Sequence, residues 1–349
     1  MQPAFYTVSS SLGLGRHFEW RNRRHPVVLA FHGVTDDAAD HIYNRDGSHI
    51  DRNVFRAIVA WITKRYRVVP LLDIARWLEG DAELPERALA ITFDDGYRDV
   101  LTHGVPVLRE FDAPATVFVS TDFVMEGKSL WPDRVVCALG ATGEDHLELD
   151  WNGRTLVFPL GDDGERLTAN HELRERLKTL PDAEKSARVD AIVEALGVSE
   201  RHPGEVWDGF APLDASDLPT LIEFGVDVGS HTCTHPIMAR CSPEQMADEA
   251  GRSKRLIEAS SGVPCTSFGY PNGAPGDFDT ETRRHLVEAG YRCAVTTVKE
   301  RTTPATDPFE IPRMMLTHRG FTMAEFALET SGFPAWLRRR TGRGARSGA

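Results

Sequence analysis

The chain has 349 residues, 41% of them hydrophobic, which is enough for one large α/β core or two smaller domains. Forty Lys and Arg against 52 Asp and Glu leave a net charge of −12, which argues against a general nucleic-acid binder, since phosphate contacts need clustered positive charge. Five cysteines with no C-x-x-C pair and no regular spacing suggest neither a disulfide framework nor a cysteine zinc site.

Residues 1–25 read as an N-terminal arm without the basic start and apolar core of a secretory signal, so a cytoplasmic protein is expected. Val27 to Phe31 reads as a strand. Asp51 caps a helix whose apolar face is Phe55, Ile58, Val59 and Ile62. A short strand from Val68 to Leu71 and a helix from Ile74 to Glu79 lead to the apolar run Ala88 to Phe93. Tyr97 to Phe111 holds a helix started or broken at Pro106, and Ala115 to Ser120 reads as the next strand. Between 126 and 214 the β/α rhythm fails: a strand-like patch, Leu147 to Leu160, turns at Asn152-Gly153, and a charged helical stretch follows from His171 to Leu196. This segment is expected to be an insertion packed over the open face of the β/α core, with Trp131 and Asp133 near that face. The rhythm resumes with strand Val226 to Gly229, a helix capped by Ser242 with Pro243 first, strand Ser267 to Tyr270, helix Thr280 to Ala289 and strand Arg292 to Thr296. Residues 336–349, rich in Arg, read as a disordered basic tail able to touch anionic lipid weakly. No run approaches the roughly 18 apolar residues of a membrane span.

Two short motifs carry the chemistry. Thr92-Phe93-Asp94-Asp95-Gly96-Tyr97 leaves adjacent carboxylates at a strand end, and His231-Thr232-Cys233-Thr234-His235 offers two imidazoles at i and i+4, expected on one helical face. Either pattern alone is common, as a turn or as a surface pair. Together, each behind an apolar strand, they predict a mononuclear metal site at the carboxyl edge of a parallel sheet. Two His and one Asp leave positions open for water and a substrate oxygen. Consecutive residues leaving a strand point to opposite sides, so one of Asp94 and Asp95 can ligate while the other acts as base.

These motifs resemble those of the polysaccharide deacetylase family, the NodB-homology group of carbohydrate esterases, and of its exopolysaccharide-associated members in particular. Phe268-Gly269-Tyr270-Pro271-Asn272-Gly273 is similar to the family's third motif, and Leu316-Thr317-His318, after Ile311-Pro312-Arg313, to its fifth. Val27 to Val34, which includes His32, looks like the first strand of such members. The resemblance spans roughly 26–125 and 215–320. It implies a distorted (β/α) barrel over 26–335 with the 126–214 insertion. Asp94 would be the base, Asp95, His231 and His235 the ligands of one divalent metal, most often Zn2+, and His318 the acid protonating the departing amine. The Asn272 N–H would hold the oxyanion, with Tyr270, Trp131, Asp133 and His32 at the substrate. The substrate would be an N-acetylated glycan.

Departures from the family pattern are equally informative. In many relatives the third motif begins with an Arg that tunes the base, and Gly269 stands there, so Arg313 is expected to supply that charge from a neighbouring strand end. The Asp that tunes the acid His has no counterpart in residues 290–304. An O-acetyl esterase, a deformylase or a catalytically weak glycan-binding protein are the alternatives these departures leave open.

Overall fold

The computed structural model describes residues 14–37, 42–44, 47–198, 203–316 and 322–341. Strand β1 (Val27–Phe31) is buried along its whole length, as are β5 (Ala88–Phe93) and β6 (Ala115–Val119). Between β1 and β5 come the short pair β2 (Gly33–Thr35) and β3 (His49–Asp51), then β4 (Arg67–Val68). After the insertion follow β9 (Val226–Ser230), β10 (Ser267–Gly269), β11 (Cys293–Val295) and β12 (Met314–Met315). β7 (His146–Trp151) and β8 (Arg154–Pro159) form a separate antiparallel hairpin.

The main sheet is parallel, in the order β11-β10-β9-β6-β5-β1-β12, with β4 beside the start of β5. Strands covered on both faces carry near-continuous apolar runs instead of alternation, which is why they were visible as runs. Residues 308–316 join the two edges. Ile311 bridges Val295 of β11, while Met314 and Met315 pair with Leu29 and Ala30 of β1. The sheet thereby curls back on itself as a distorted barrel, and every strand delivers its carboxyl end to one rim.

Helices follow the expected capping chemistry. The Asp51 side chain accepts from the N–H groups of Asn53 and Val54 at the start of Arg52–Thr63, and Ser242 caps Pro243–Ser261. Phe55, Ile58, Val59 and Ile62 are all buried, as the periodicity requires.

Several expectations need correction. The charged stretch 171–196 is two helices, Asp163–Leu177 and Asp182–Ala195, because Pro181 has no N–H to continue the first. Leu71 opens the helix Leu71–Glu79 and does not close a strand. The segment from 336 does not begin a disordered tail: Phe333–Arg340 is a helix whose Phe333 and Trp336 pack on Phe18 of the N-terminal helix Leu14–Arg21. Arg338 and Arg339 pair with Glu329 and Glu300. No described helix is long and apolar enough to cross a membrane.

The insertion has its own small core. Leu147 and Phe158 of the hairpin pack with Leu173, Leu177, Val189 and Ile192 of the two helices and with Trp131 and Val135 of the helix Trp131–Ala141. Asn152 and Gly153 both have positive φ, as a two-residue hairpin turn needs. This core fixes the helix Asp163–Leu177 over the barrel rim, where it forms a wall of the cavity described next.

Candidate active site

Asp94 and Asp95 stand where β5 ends and diverge there. The Asp94 N–H still donates to the Phe31 carbonyl at 2.9 Å, so this residue completes the ladder. Asp95 then turns with φ of 75°, followed by Gly96 at 96°. A non-glycine residue with positive φ is costly, and four at this site, Asp95, Thr232, His235 and Asn272, share that conformation.

The Asp94 carboxylate faces into the protein, 2% exposed, where Arg313 grips it with two bonds, Nη1 to Oδ1 at 2.7 Å and Nη2 to Oδ2 at 2.8 Å. Arg313 is fully buried, and its Nε donates to the Thr296 carbonyl at 3.0 Å, while Nη1 also reaches Thr92 Oγ1. Gly269 explains why the cation comes from elsewhere: a Cβ there would lie 3.0 Å from both His231 Nδ1 and Phe118 Cγ. Burial pushes the Asp94 carboxyl up, yet Arg313 and then His231 outweigh it and hold it below the usual carboxylate range.

Asp95 faces the opposite way. Its Oδ1 lies 3.5 Å from His231 Nε2 and 3.3 Å from His235 Nε2, and this buried oxygen has no hydrogen-bond partner. Burial opposes its ionisation, but the imidazoles of His235, His32 and His231 keep it ionised to well below the ordinary range.

The two histidines are not on a helix. They sit on the loop after β9, and the positive φ of Thr232 and His235 folds the loop tightly enough for both rings to converge. Thr232 Oγ1 accepts the His235 N–H at 3.0 Å. The Gly269 carbonyl takes His231 Nδ1 at 2.7 Å, which sets the tautomer and turns the Nε2 lone pair towards Asp95. Burial pushes the His231 pKa down to about 4 against the pull of Asp94, so the ring is neutral at physiological pH. Three lone-pair donors facing one another around an orphaned carboxylate oxygen fit a divalent ion, and they form the one such group among the described residues.

The sequence profile of the polysaccharide deacetylase family matches residues 81–140 and 168–294, more than half of the chain. The chain belongs to the polysaccharide deacetylase family. It is 33% identical over 90 residues to a poly-β-1,6-N-acetyl-D-glucosamine N-deacetylase of Escherichia coli, a match covering 26% of this chain and 13% of that protein. It is 21% identical over 271 residues, 77% of this chain and 63% of the other, to a putative polysaccharide deacetylase, YxkH, of Bacillus subtilis. The chain thus spans only part of the length of these curated relatives. Among solved structures, the Streptococcus pyogenes deacetylase PplD has the same fold at 14% identity, with a TM-score of 0.56, covering 89% of this chain and 99% of that one. IcaB from Ammonifex degensii aligns with a TM-score of 0.54 at 18% identity, covering 87% and 97%. The fold is therefore the barrel of polysaccharide deacetylases.

Around the three donors this deacetylase-family chain has a cavity of about 720 Å³. Asp94, Asp95, His231 and His235 line it, with His32, whose Nε2 lies 3.9 Å from Asp95 Oδ2. Asn272 is at the wall: its carbonyl accepts from Thr297 Oγ1 at 2.8 Å and its side-chain amide donates to Asp277. Trp131 and Asp133 line the same cavity. The Tyr97 hydroxyl donates to Asp133, and burial, followed by the Asp95 charge, pushes the Asp133 carboxyl up to about 8. Tyr270 is elsewhere: its side chain is buried, stacks on Phe278 and donates to the Phe309 carbonyl, and it does not line this cavity. An aromatic ring one residue past a buried strand has the apolar packing face nearest to it. His318 lies outside the described residues.

Sequence reasoning did not single out the opposite wall. Asn170, His171, Arg174, Glu175 and Lys178, on or just after the helix Asp163–Leu177, all reach the cavity. Only the docking of the insertion core brings them there, and no local pattern announces it.

Proposed function

We propose that the protein is a metal-dependent hydrolase that removes N-acetyl groups from an N-acetylated polysaccharide or a precursor of one. The observation that carries this reading is the divergence of two adjacent carboxylates in one cavity, Asp94 onto a buried guanidinium and Asp95 onto two imidazoles. The family supports deacetylation of a glycan, and the similarity to the Escherichia coli poly-β-1,6-N-acetyl-D-glucosamine N-deacetylase makes a β-1,6-linked N-acetylglucosamine polymer the first substrate to try.

Asp95, His231 and His235 would hold the ion, and two imidazoles with one carboxylate suit Zn2+. When bound, the ion supplies Lewis acidity, acidifying water and polarising the scissile carbonyl. Asp94, ionised and fixed by Arg313, is the group that takes the proton from the attacking water. Because both carboxylate oxygens are held, the base cannot rotate away from the cavity. The main chain of Asn272 supports an oxyanion contact, since the residue stands at the wall with φ of 60° and both its carbonyl and its side chain are engaged elsewhere. His318 keeps its assignment as the acid for the departing amine on the strength of its motif. The insertion wall, with Asn170, His171 and Arg174, offers polar groups to sugar hydroxyls.

The test is acetate release from N-acetylglucosamine oligomers and from an acetyl ester, using zinc-loaded protein, chelator-treated protein and Asp94→Asn. Metal-dependent release from the amide that disappears in Asp94→Asn supports the reading. Release from the ester alone makes the protein an O-acetyl esterase, and silence on both with retained glycan binding makes it a binding protein.

A further inference from the structure

The loop that carries His231 and His235 has two consecutive N–H groups, that of the buried Cys233 and that of the more exposed Thr234, that no strand or helix of its own can satisfy. Both donate to one atom, Glu249 Oε2, at 2.6 and 3.1 Å. The other oxygen of the same carboxylate, Oε1, accepts from Thr234 Oγ1 at 2.6 Å. Glu249 is 3% exposed and sits on the helix Pro243–Ser261, one turn before Ser253, whose hydroxyl meets Ser230 Oγ at 2.7 Å at the end of β9. One face of this helix therefore holds both the strand end and the loop.

The loop's carbonyls are fixed from the opposite side. Those of Thr232 and Cys233 accept the N–H groups of Thr121 and Asp122 at 3.1 and 3.0 Å. These bonds fix the carbonyl side of the loop, and Glu249 fixes the amide side. Since Thr232 and His235 both have positive φ, the loop is held in a conformation its residues do not favour by themselves. From this geometry we infer that Glu249 is a positioning residue for the metal site: its carboxylate clamps the amides between the two histidines and so sets the spacing of their Nε2 atoms. It touches neither the substrate nor the ion's ligand atoms. The inference rests on the metal reading of Asp95, His231 and His235.

Two variants separate reach from charge. Glu249→Gln keeps the length: its carbonyl oxygen accepts both amides and its amide donates to Thr234 Oγ1, while the charge is gone. Glu249→Asp keeps the charge but withdraws the carboxylate by one methylene. Zinc affinity is measured on the metal-stripped full chain by competition with a chromophoric chelator, and folding of each metal-free variant is followed by circular dichroism and thermal melting. The expected result is a fold and zinc affinity close to wild type for Glu249→Gln. For Glu249→Asp the expectation is zinc binding about tenfold weaker or more, the range usual for groups behind metal ligands, with the metal-free fold retained. Wild-type affinity in Glu249→Asp overturns the inference, and if Glu249→Gln alone is weakened the charge is the cause; equal weakening in both variants overturns it too, since reach alone would then not set the affinity. A wild-type chain that binds no zinc overturns the metal reading itself, a result distinct from either of these.

Discussion

Arg313 and Asp94 form a two-point ion pair with both side chains buried, across 219 positions of sequence. Removing one member of such a pair leaves an uncompensated charge in the interior. Arg313→Met is therefore expected to lower stability by about 3–5 kcal/mol, read from denaturant unfolding. Its catalytic signature is separate. With the guanidinium gone, burial is opposed only by the His231 and His32 imidazoles and the Asp94 pKa rises, so the acid limb of the pH–rate profile moves to higher pH. An unchanged acid limb in a folded Arg313→Met protein would show that Asp94 is not the base.

His231 makes the metal-free protein sensitive to acid. Its native pKa of about 4 lies below the ordinary 6.5, so between those values the unfolded chain binds a proton that the native state refuses. The stability from keeping this ring neutral is complete above pH 6.5 and is lost as pH falls towards 4, by roughly 3 kcal/mol at 1.36 kcal/mol per unit. His231→Gln should flatten that part of the stability curve. Imidazole NMR should find the wild-type ring neutral at pH 5.5.

Asp133 acts in the other direction. Its carboxyl is raised to about 8 and accepts the Tyr97 hydroxyl, so the native state keeps a proton that the unfolded chain releases near pH 4. Stability from this group is present at low pH and declines as pH rises from about 4 to 8, by something on the order of 5 kcal/mol. Asp133→Asn should be stabilised relative to wild type at pH 8.5 much more than at pH 5, by comparison of urea midpoints.

Zinc should stabilise the folded chain through Asp95. At a free concentration 100 times its dissociation constant the gain is about 2.7 kcal/mol, seen as a rise in melting temperature that chelator reverses. Asp95→Ala should fold and show no such rise. A rise of full size in Asp95→Ala would place the ion elsewhere.

The paired carboxylates and histidines were legible because each pair follows an apolar strand, and a parallel sheet brings strand ends to one rim whatever the loops do. The parallel β/α sheet was legible for the same reason, whereas its closure into a barrel was expected only from the family resemblance. What failed was local geometry in the loops: the His-x-x-x-His spacing suggested a helix, whereas positive φ at Thr232 and His235 produces the same convergence without one. Tyr270 was assigned by motif to the substrate, but burial against Phe278 claims it. Arg313 was expected by resemblance to bring the missing charge to the base from a neighbouring strand end, and its two bonds to Asp94 agree with that, although nothing in its own flanking residues names the partner. His171, Arg174 and Glu249 had no legible role, because each depends on how one helix docks on another segment and not on its own flanking residues.

The segment that seals β11 to β1 also carries Arg313. A chain still open at that seam has every metal donor and the base already in covalent order, yet its base has no guanidinium. Hydrolytic competence would then wait on closure of that seam, and chains in which it is open would be inert towards acetyl groups they meet before the barrel is shut.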